Sequence, residues 1–206
     1  MQKGLFITLE GIEGAGKSSL MDYIFELFTC AGHEVIQTRE PGGTDTGEQI
    51  RKVLLDSNNS GLESSTELLL MFAARMQHIE EVIRPALALN QIVICDRFTD
   101  ASYAYQGGGR GIEESRIKTL EDWVQLGLKP SLTLLFDLDV EIGLHRAGRR
   151  SQADRFEQED ILFFKRIRSC YLHRANNEPK RFRIIDAGKS LENVKHQTCK
   201  VLQKYL

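Results

Sequence analysis

The chain reads as an α/β protein: a five-stranded parallel sheet flanked by helices. Three observations carry that reading. Five short β-rich apolar runs, at 5–9, 34–38, 92–95, 132–136 and 183–185, alternate with longer stretches of helical character. These runs are almost continuously apolar, which suits strands covered on both faces, whereas a one-sided antiparallel sheet would alternate apolar with polar residues. A glycine-rich segment also stands where the first strand should pass into the first helix.

The helices are expected at 18–31, 46–55, 63–89, 114–126, 140–146, 158–176 and 191–205. In the sixth, Ile161, Phe164, Ile167 and Tyr171 form one stripe at the helical period. Pro85 is expected to kink or end the long third helix, because it has no N–H to give the ladder. The turn after the second strand holds Pro41, Gly42 and Gly43, and the helix that follows is expected to be capped by Thr44 or Asp45. No low-complexity linker or repeat divides the 206 residues, so a single domain is expected, with an arginine-rich segment at about 146–157 inside it.

Composition narrows the classes further. Hydrophobic residues make up 41% and charged residues 27%, which is an ordinary globular balance and not that of a disordered chain. A net charge of -2 gives no global attraction to nucleic acid or anionic lipid, so any anion site must be local and neither partner is expected. Cysteines 30, 95, 170 and 199 form no C-x-x-C pair, and reduced thiols are the simplest reading. No leader-like segment and no run of 18 apolar residues occurs, and a cytoplasmic location is expected.

Gly11-Ile12-Glu13-Gly14-Ala15-Gly16-Lys17-Ser18 fits G-x-x-x-x-G-K-[ST] between a predicted strand and a predicted helix, the setting of a P-loop. Its glycines let backbone N–H groups turn inward as an anion nest, and the helix N-terminus adds positive potential. Lys17 can reach the β- and γ-phosphates of a nucleoside triphosphate, and Ser18 can ligate Mg²⁺. Glu13 is a carboxylate in a loop that must receive polyphosphate, so it should have a partner or point to solvent.

A P-loop does not name the chemistry. A GTPase switch would need N-K-x-D and D-x-x-G strings, and neither occurs. A small kinase would show a second anion site built from arginine. The run 92–97, IVICDR, ends in an acid and a base at the carboxyl edge where ligands bind in open α/β sheets. Asp96 can hold the Mg²⁺ shell there, and Arg97 can grip an anionic acceptor bidentately. The other local reading is an Asp-Arg pair that merely caps a strand, and the neighbouring P-loop argues against it. Two other strings are false leads: HEVIQ at 33–37 misses the H-E-x-x-H zinc pattern, and the single GGGRG at 107–111 reads as a loop over the acceptor.

Three strings occur together, REPGGT at 39–44, MFAAR at 71–75 and DRFTDASYAYQGGGRG at 96–111, and with the P-loop they run in order along essentially the whole chain. In these the chain resembles the bacterial thymidylate kinases, which are P-loop nucleoside monophosphate kinases. The resemblance implies ATP-dependent phosphorylation of dTMP to dTDP in dTTP biosynthesis, with Mg²⁺, in a homodimer packed through helices. It implies that Phe72 stacks on the thymine ring and that Arg75 hydrogen-bonds its O4. On local evidence Phe72 is an ordinary core residue, and only Arg75, three positions on along the same helix face, favours the other role.

The resemblance further implies that Arg97 holds the acceptor's α-phosphate, and that Ser102, Tyr105 and Gln106 wall the base and sugar pocket, Tyr105 disfavouring a ribose 2′-OH. Arg39, Glu40 and Pro41 would close beside the acceptor phosphate. Family members commonly carry serine where this chain has Ala101, which removes one hydroxyl contact. The P-loop has no arginine among its variable positions, and members of this type place that charge in the lid. Of Arg146, Arg149, Arg150 and Arg155, the expected residues are Arg150 and Arg155, with Arg149 next; such a cluster can also be a solvated helix end. Glu13 would face the deoxyribose or a lid arginine. Lys17, Arg97, Arg150, Arg155 and Glu13 thus form the expected catalytic set. The readings left open are another monophosphate kinase, for dUMP, CMP or AMP, and a nucleotide-dependent switch.

Overall fold

A computed structural model describes residues 4–59, 61–148 and 154–206. The five expected strands are present as β1 (Phe6–Glu10), β2 (Val35–Arg39), β3 (Ile92–Asp96), β4 (Leu132–Asp137) and β5 (Phe182–Asp186), and all neighbouring pairs are parallel in the order β2-β3-β1-β4-β5. Leu9 of β1 stands opposite Asp96 of β3 and Leu134 of β4. The chain therefore leaves β1 into the P-loop and leaves β3 into Arg97 at the same sheet edge.

Period-two alternation of β1 feeds two cores. Phe6 packs with Leu68, Phe72, Ile79, Ile83, Val93 and Phe98 on one face. Ile7 and Leu9 pack on the other with Leu20, Ile24 and Phe28 of α1 (Lys17–Cys30) and with Phe164 and Ile167 of α8 (Ile161–Asn177). Each fully buried Phe, Leu or Ile contributes about 1.5–3 kcal/mol. The one polar side chain of β1 inside this core region, Thr8, pairs with Thr133 at 2.9 Å, so its hydroxyl is not left unsatisfied. Glu10, which ends the strand, belongs to the site.

The remaining helices are α2 (Asp45–Leu55), α3 (Ser64–His78), α4 (Arg84–Ala88), α5 (Thr99–Ser102), α6 (Glu114–Gln125), α7 (Val140–Ala147) and α9 (Leu191–Leu202). Thr44 caps α2, its hydroxyl accepting from the Gly47 N–H at 3.0 Å. The long third helix is not cut at Pro85. It passes from α3 through a π-helical turn, Ile79–Ile83, into α4, with Pro85 in that segment's first turn, where its missing N–H does least harm. The glycine-rich stretch after Arg97 is not an open loop either: α5 runs directly into a second π-helical turn, Tyr103–Gly109. Gly108 and Gly109 lie so close to α8 that an added Cβ would meet Cys170 at 2.8 Å and Phe163 at 2.5 Å. Glycine here serves helix packing.

Candidate active site

A cavity of about 330 Å³ opens at the carboxyl ends of β1 and β3. One end is the P-loop. Gly11, Gly14 and Gly16 have φ of 139°, 71° and 84°, conformations that L side chains rarely adopt. At Gly14 a Cβ would stand 2.0 Å from the carbonyl oxygen of Gly143 on α7, so packing demands glycine there as well. Lys17 curls over the loop, its Nζ donating to the carbonyls of Gly11 at 2.9 Å and Ile12 at 3.1 Å. Burial, then the nearby Arg97, pulls its pKa down to about 8. Ser18 lines the same end, and Asp96 faces it with a buried Oδ1 that has no hydrogen-bond partner among the described residues.

The middle of the cavity is built around Arg97, which has a left-handed backbone at φ 69°. Its Nη2 donates to Glu13 at 2.8 Å and its Nη1 to the Tyr171 hydroxyl at 3.3 Å, and its guanidinium lies 4.7 Å from the Tyr105 ring centroid. The Tyr105 hydroxyl in turn donates to Glu13, at 2.6 and 2.7 Å to its two oxygens. So the P-loop carboxylate has its partner, and that partner is Arg97; it neither points to solvent nor pairs with a described lid arginine. Tyr171 donates to Glu10 at 2.7 Å, and Glu10 also accepts from the Phe98 N–H at 2.8 Å. Burial, then nearby Asp100, raises the Glu10 pKa to about 8.

At the far end Arg75 is held flat. Its Nε donates to Glu40 at 2.7 Å and its Nη2 to the Phe98 carbonyl at 3.1 Å, while its guanidinium lies over the rings of Phe72 and Phe98 at 4.5 and 5.3 Å. His78 Nδ1 pairs with the other Glu40 oxygen at 3.0 Å. Nη1 of Arg75 is buried and has no hydrogen-bond partner among the described residues, which leaves its N–H groups for a ligand's carbonyl.

Three of the expected residues do not line the cavity. Phe72 is not on the cavity wall: it is buried in the second core, under Arg75, and Met71 lines the cavity in its place. Both positions share a helix side with Arg75, at i+3 and i+4, so spacing alone could not choose between them. Arg39 does not stand beside the cavity. It is the last residue of β2 and turns out to Glu48 at 2.9 Å, whereas Glu40, one residue on, turns inward. Arg155 is not a cation of the cavity. It is buried, with Nε donating to the Leu54 carbonyl at 2.9 Å and Nη2 2.7 Å from Glu67. The same Glu67 accepts from Gln106 at 2.9 Å, so Arg155 braces the wall from behind. Arg149 and Arg150 lie outside the described residues, and Arg146 donates to the Ala187 carbonyl.

Ser102, Tyr105, Gln106, Glu40 and Pro41 line the cavity, and so does Ala101. Arg51 of α2 lines it too and was missed. It donates to the Pro41 carbonyl at 2.8 Å, and burial, Arg39 and Arg97 depress its pKa. Its amphipathic helix gave no reason to pick one arginine from the solvent-facing charges.

A P-loop and a second, arginine-built anion pocket sharing one cavity on a five-stranded parallel sheet define a P-loop kinase of the nucleoside monophosphate class. The comparisons with known proteins refine this. The family model described as thymidylate kinase matches residues 9–198. A thymidylate kinase of Pseudomonas syringae pv. tomato is 57% identical over 203 residues, covering 98% of this chain and 97% of that protein. One of Alcanivorax borkumensis is 52% identical over 201 residues, covering 98% and 97%. A crystal structure of thymidylate kinase from Ehrlichia chaffeensis superposes with a TM-score of 0.78 at 33% identity, covering both chains completely. The chain belongs to the thymidylate kinase family.

Proposed function

We propose that this enzyme transfers the γ-phosphoryl group of ATP to dTMP, giving ADP and dTDP. The observation that carries the reading is the single cavity with a P-loop at one end, Arg97 at its middle and the spare Arg75 donor at the other. An oxygen of the acceptor's phosphate attacks the γ-phosphorus in line, and the bond from that phosphorus to the bridging oxygen of ADP breaks. No general base is needed, since a phosphate monoester with a second pKa near 6 is mostly dianionic at neutral pH. The obstacle is repulsion between anions, and Lys17, Arg97 and Arg51 supply the countercharge in a partly dehydrated space. The residues fit Mg²⁺ as well: the unpartnered Oδ1 of Asp96 and the Ser18 hydroxyl would hold it. When bound, the ion neutralises charge on the donor's phosphates.

Arg75 and Met71 give the base end its selectivity. An arginine N–H requires an acceptor, which thymine's O4 offers and the amino groups of cytosine and adenine do not. Glu40, Phe72 and Phe98 fix the guanidinium before the base arrives. Coupled ADP release across dTMP, dUMP, CMP and AMP tests this. dTMP is expected to give the highest kcat/KM, and CMP and AMP to be poorer by at least about 10²-fold. CMP or AMP equal to dTMP would overturn the thymine reading, and no stimulation by any monophosphate would favour a nucleotide-dependent switch.

We further propose a homodimer. The exposed sides of α3 and α6, which pack together, carry Leu69 (56% exposed), Met76 (39%) and Trp123 (71%), an apolar face that a second copy would cover. Sedimentation should give about twice the 23.4 kDa chain mass, and Trp123→Glu should shift the protein to monomer; a Trp123→Glu dimer as tight as the parent would place the interface elsewhere. The described cysteines are all free and no described helix is long and apolar enough to cross a membrane, in keeping with work in the cytoplasm.

A further inference from the structure

The segment that follows β3 has two sides. Arg97, Phe98, Ala101, Ser102, Tyr105 and Gln106 line the cavity. Thr99, Asp100 and Tyr103 are buried on the other side, and each is tied to the scaffold around it. Thr99 accepts from Gln125 of α6, and the Tyr103 hydroxyl donates to Glu121 of α6 at 2.5 Å. Asp100 has the most costly arrangement. It is 2% exposed, and its Oδ1 accepts from Nε of Arg174 on α8 at 2.7 Å and from Nη2 of Arg181 at 3.0 Å. Its Oδ2 accepts from Nη1 of Arg181 at 2.5 Å. Arg181 is itself oriented by Glu178 and by the Thr133 hydroxyl, each at 2.7 Å, and Arg174 lies 3.8 Å from the Tyr103 ring centroid.

We propose that Asp100 is a positioning residue for the acceptor-phosphate pocket: its ion cluster with Arg174 and Arg181 pins α5 to α8 and so sets where Arg97 and Ser102 stand. The proposal rests on the functional reading of the cavity given above. A buried ion cluster is a poor way to gain stability, because desolvation offsets most of the attraction and apolar side chains of similar size would pack as well. What a three-way, fork-shaped ion cluster adds is direction. Asp100 fixes the middle of a four-residue helix that has no side-chain cap of its own and that begins beside the left-handed turn at Arg97. The two arginines outweigh the effect of burial and hold the carboxyl of Asp100 below its usual range, so it is ionised where it stands. The link to α8 is repeated nearby: Cys170 donates to the Tyr103 carbonyl at 3.3 Å, Arg166 donates to the Gly109 carbonyl at 3.1 Å, and Tyr171 meets Arg97. The charge of Asp100 can be removed without touching the cavity, which it does not line.

The test is a double-mutant cycle on the full-length enzyme, Asp100→Asn, Arg174→Gln and the pair, with dTMP and ATP dissociation constants and the thermal midpoint measured for each. Each single variant is expected to weaken dTMP about 5- to 20-fold while ATP changes less than about twofold, and the double variant to be no weaker than the worse single. Lower thermal midpoints with dTMP affinity intact would overturn the proposal, as would equal losses for both nucleotides or additive losses in the pair. If Asp100→Asn does not fold, Arg174→Gln against Arg174→Lys decides, with partial recovery of dTMP binding expected in the lysine variant and none overturning the role. Failure of the parent enzyme to bind dTMP would instead overturn the functional reading, and the cycle then runs with the monophosphate that the acceptor panel selects.

Discussion

Lys17→Ala is expected to lower kcat by about 10³-fold or more while the chain still unfolds in one cooperative transition. The ammonium group is the charge nearest the phosphate-bridging oxygens in a P-loop, and no other described side chain of the loop is cationic. Its present partners are the carbonyls of Gly11 and Ile12, at the buried start of the loop whose residues 13–18 line the cavity. The pH profile carries a second expectation for the parent enzyme. Lys17 in the free protein titrates near pH 8, because burial and Arg97 disfavour its charge. Below that pH the site is cationic and receives ATP; above it the charge is lost, so kcat/KM for ATP should fall as pH rises through about 8. Bound phosphates favour the protonated form, so kcat at saturating ATP should hold to higher pH. A kcat/KM for ATP that stays level to pH 9.5, or a Lys17→Ala enzyme with ordinary turnover, would contradict the assignment.

Arg97→Ala is expected to reduce kcat/KM for dTMP by about 10²- to 10³-fold, ~3–4 kcal/mol of transition-state stabilisation, with KM for ATP little changed. In the structure Arg97 spends donors on Glu13 and Tyr171 and keeps others for an anion, since a guanidinium carries five. Its removal also leaves Glu13, a carboxylate in the phosphate loop, with only the Tyr105 hydroxyl described beside it. That residual negative charge repels the acceptor, so the loss should exceed what one missing contact explains. Arg97→Lys should recover only part of the rate, because an ammonium supplies charge without the fork. Steady-state kinetics with dTMP varied at saturating ATP measures both; a near-normal kcat/KM in Arg97→Ala would remove Arg97 from the acceptor pocket.

The legible part of this protein is the part encoded by local pattern. The P-loop string, its strand and helix, and the acid-base pair closing the third strand are contiguous, so residue type and spacing carried their meaning, and the structure puts them at one sheet edge. Five apolar runs sufficed for five strands: β1, β3 and β4 are buried on both faces, and the edge strands β2 and β5, though only partly covered, keep enough apolar residues to be read. Met71 against Phe72 was not legible. Both lie on the side of α3 that bears Arg75, and whichever meets the cavity depends on the rotation of α3 against β3 and Phe98. Arg51, Arg39 and Arg155 show the same limit from the side of charge. One guanidinium is turned inward and one outward across the Glu40 turn, and a third is captured by Glu67, which stands 88 positions earlier (155 minus 67) in the chain.

By itself, then, the order of residues determined the sheet, the phosphate cradle and the kind of chemistry, because those depend on backbone conformation and on side chains a few positions apart. Only the folded chain decided which cations face the ligand and which merely brace the wall. Glu13, Glu40, Glu67 and Asp100 each claim an arginine from a distant segment, and a guanidinium bound to a buried carboxylate has a fixed direction that no spacing rule contains.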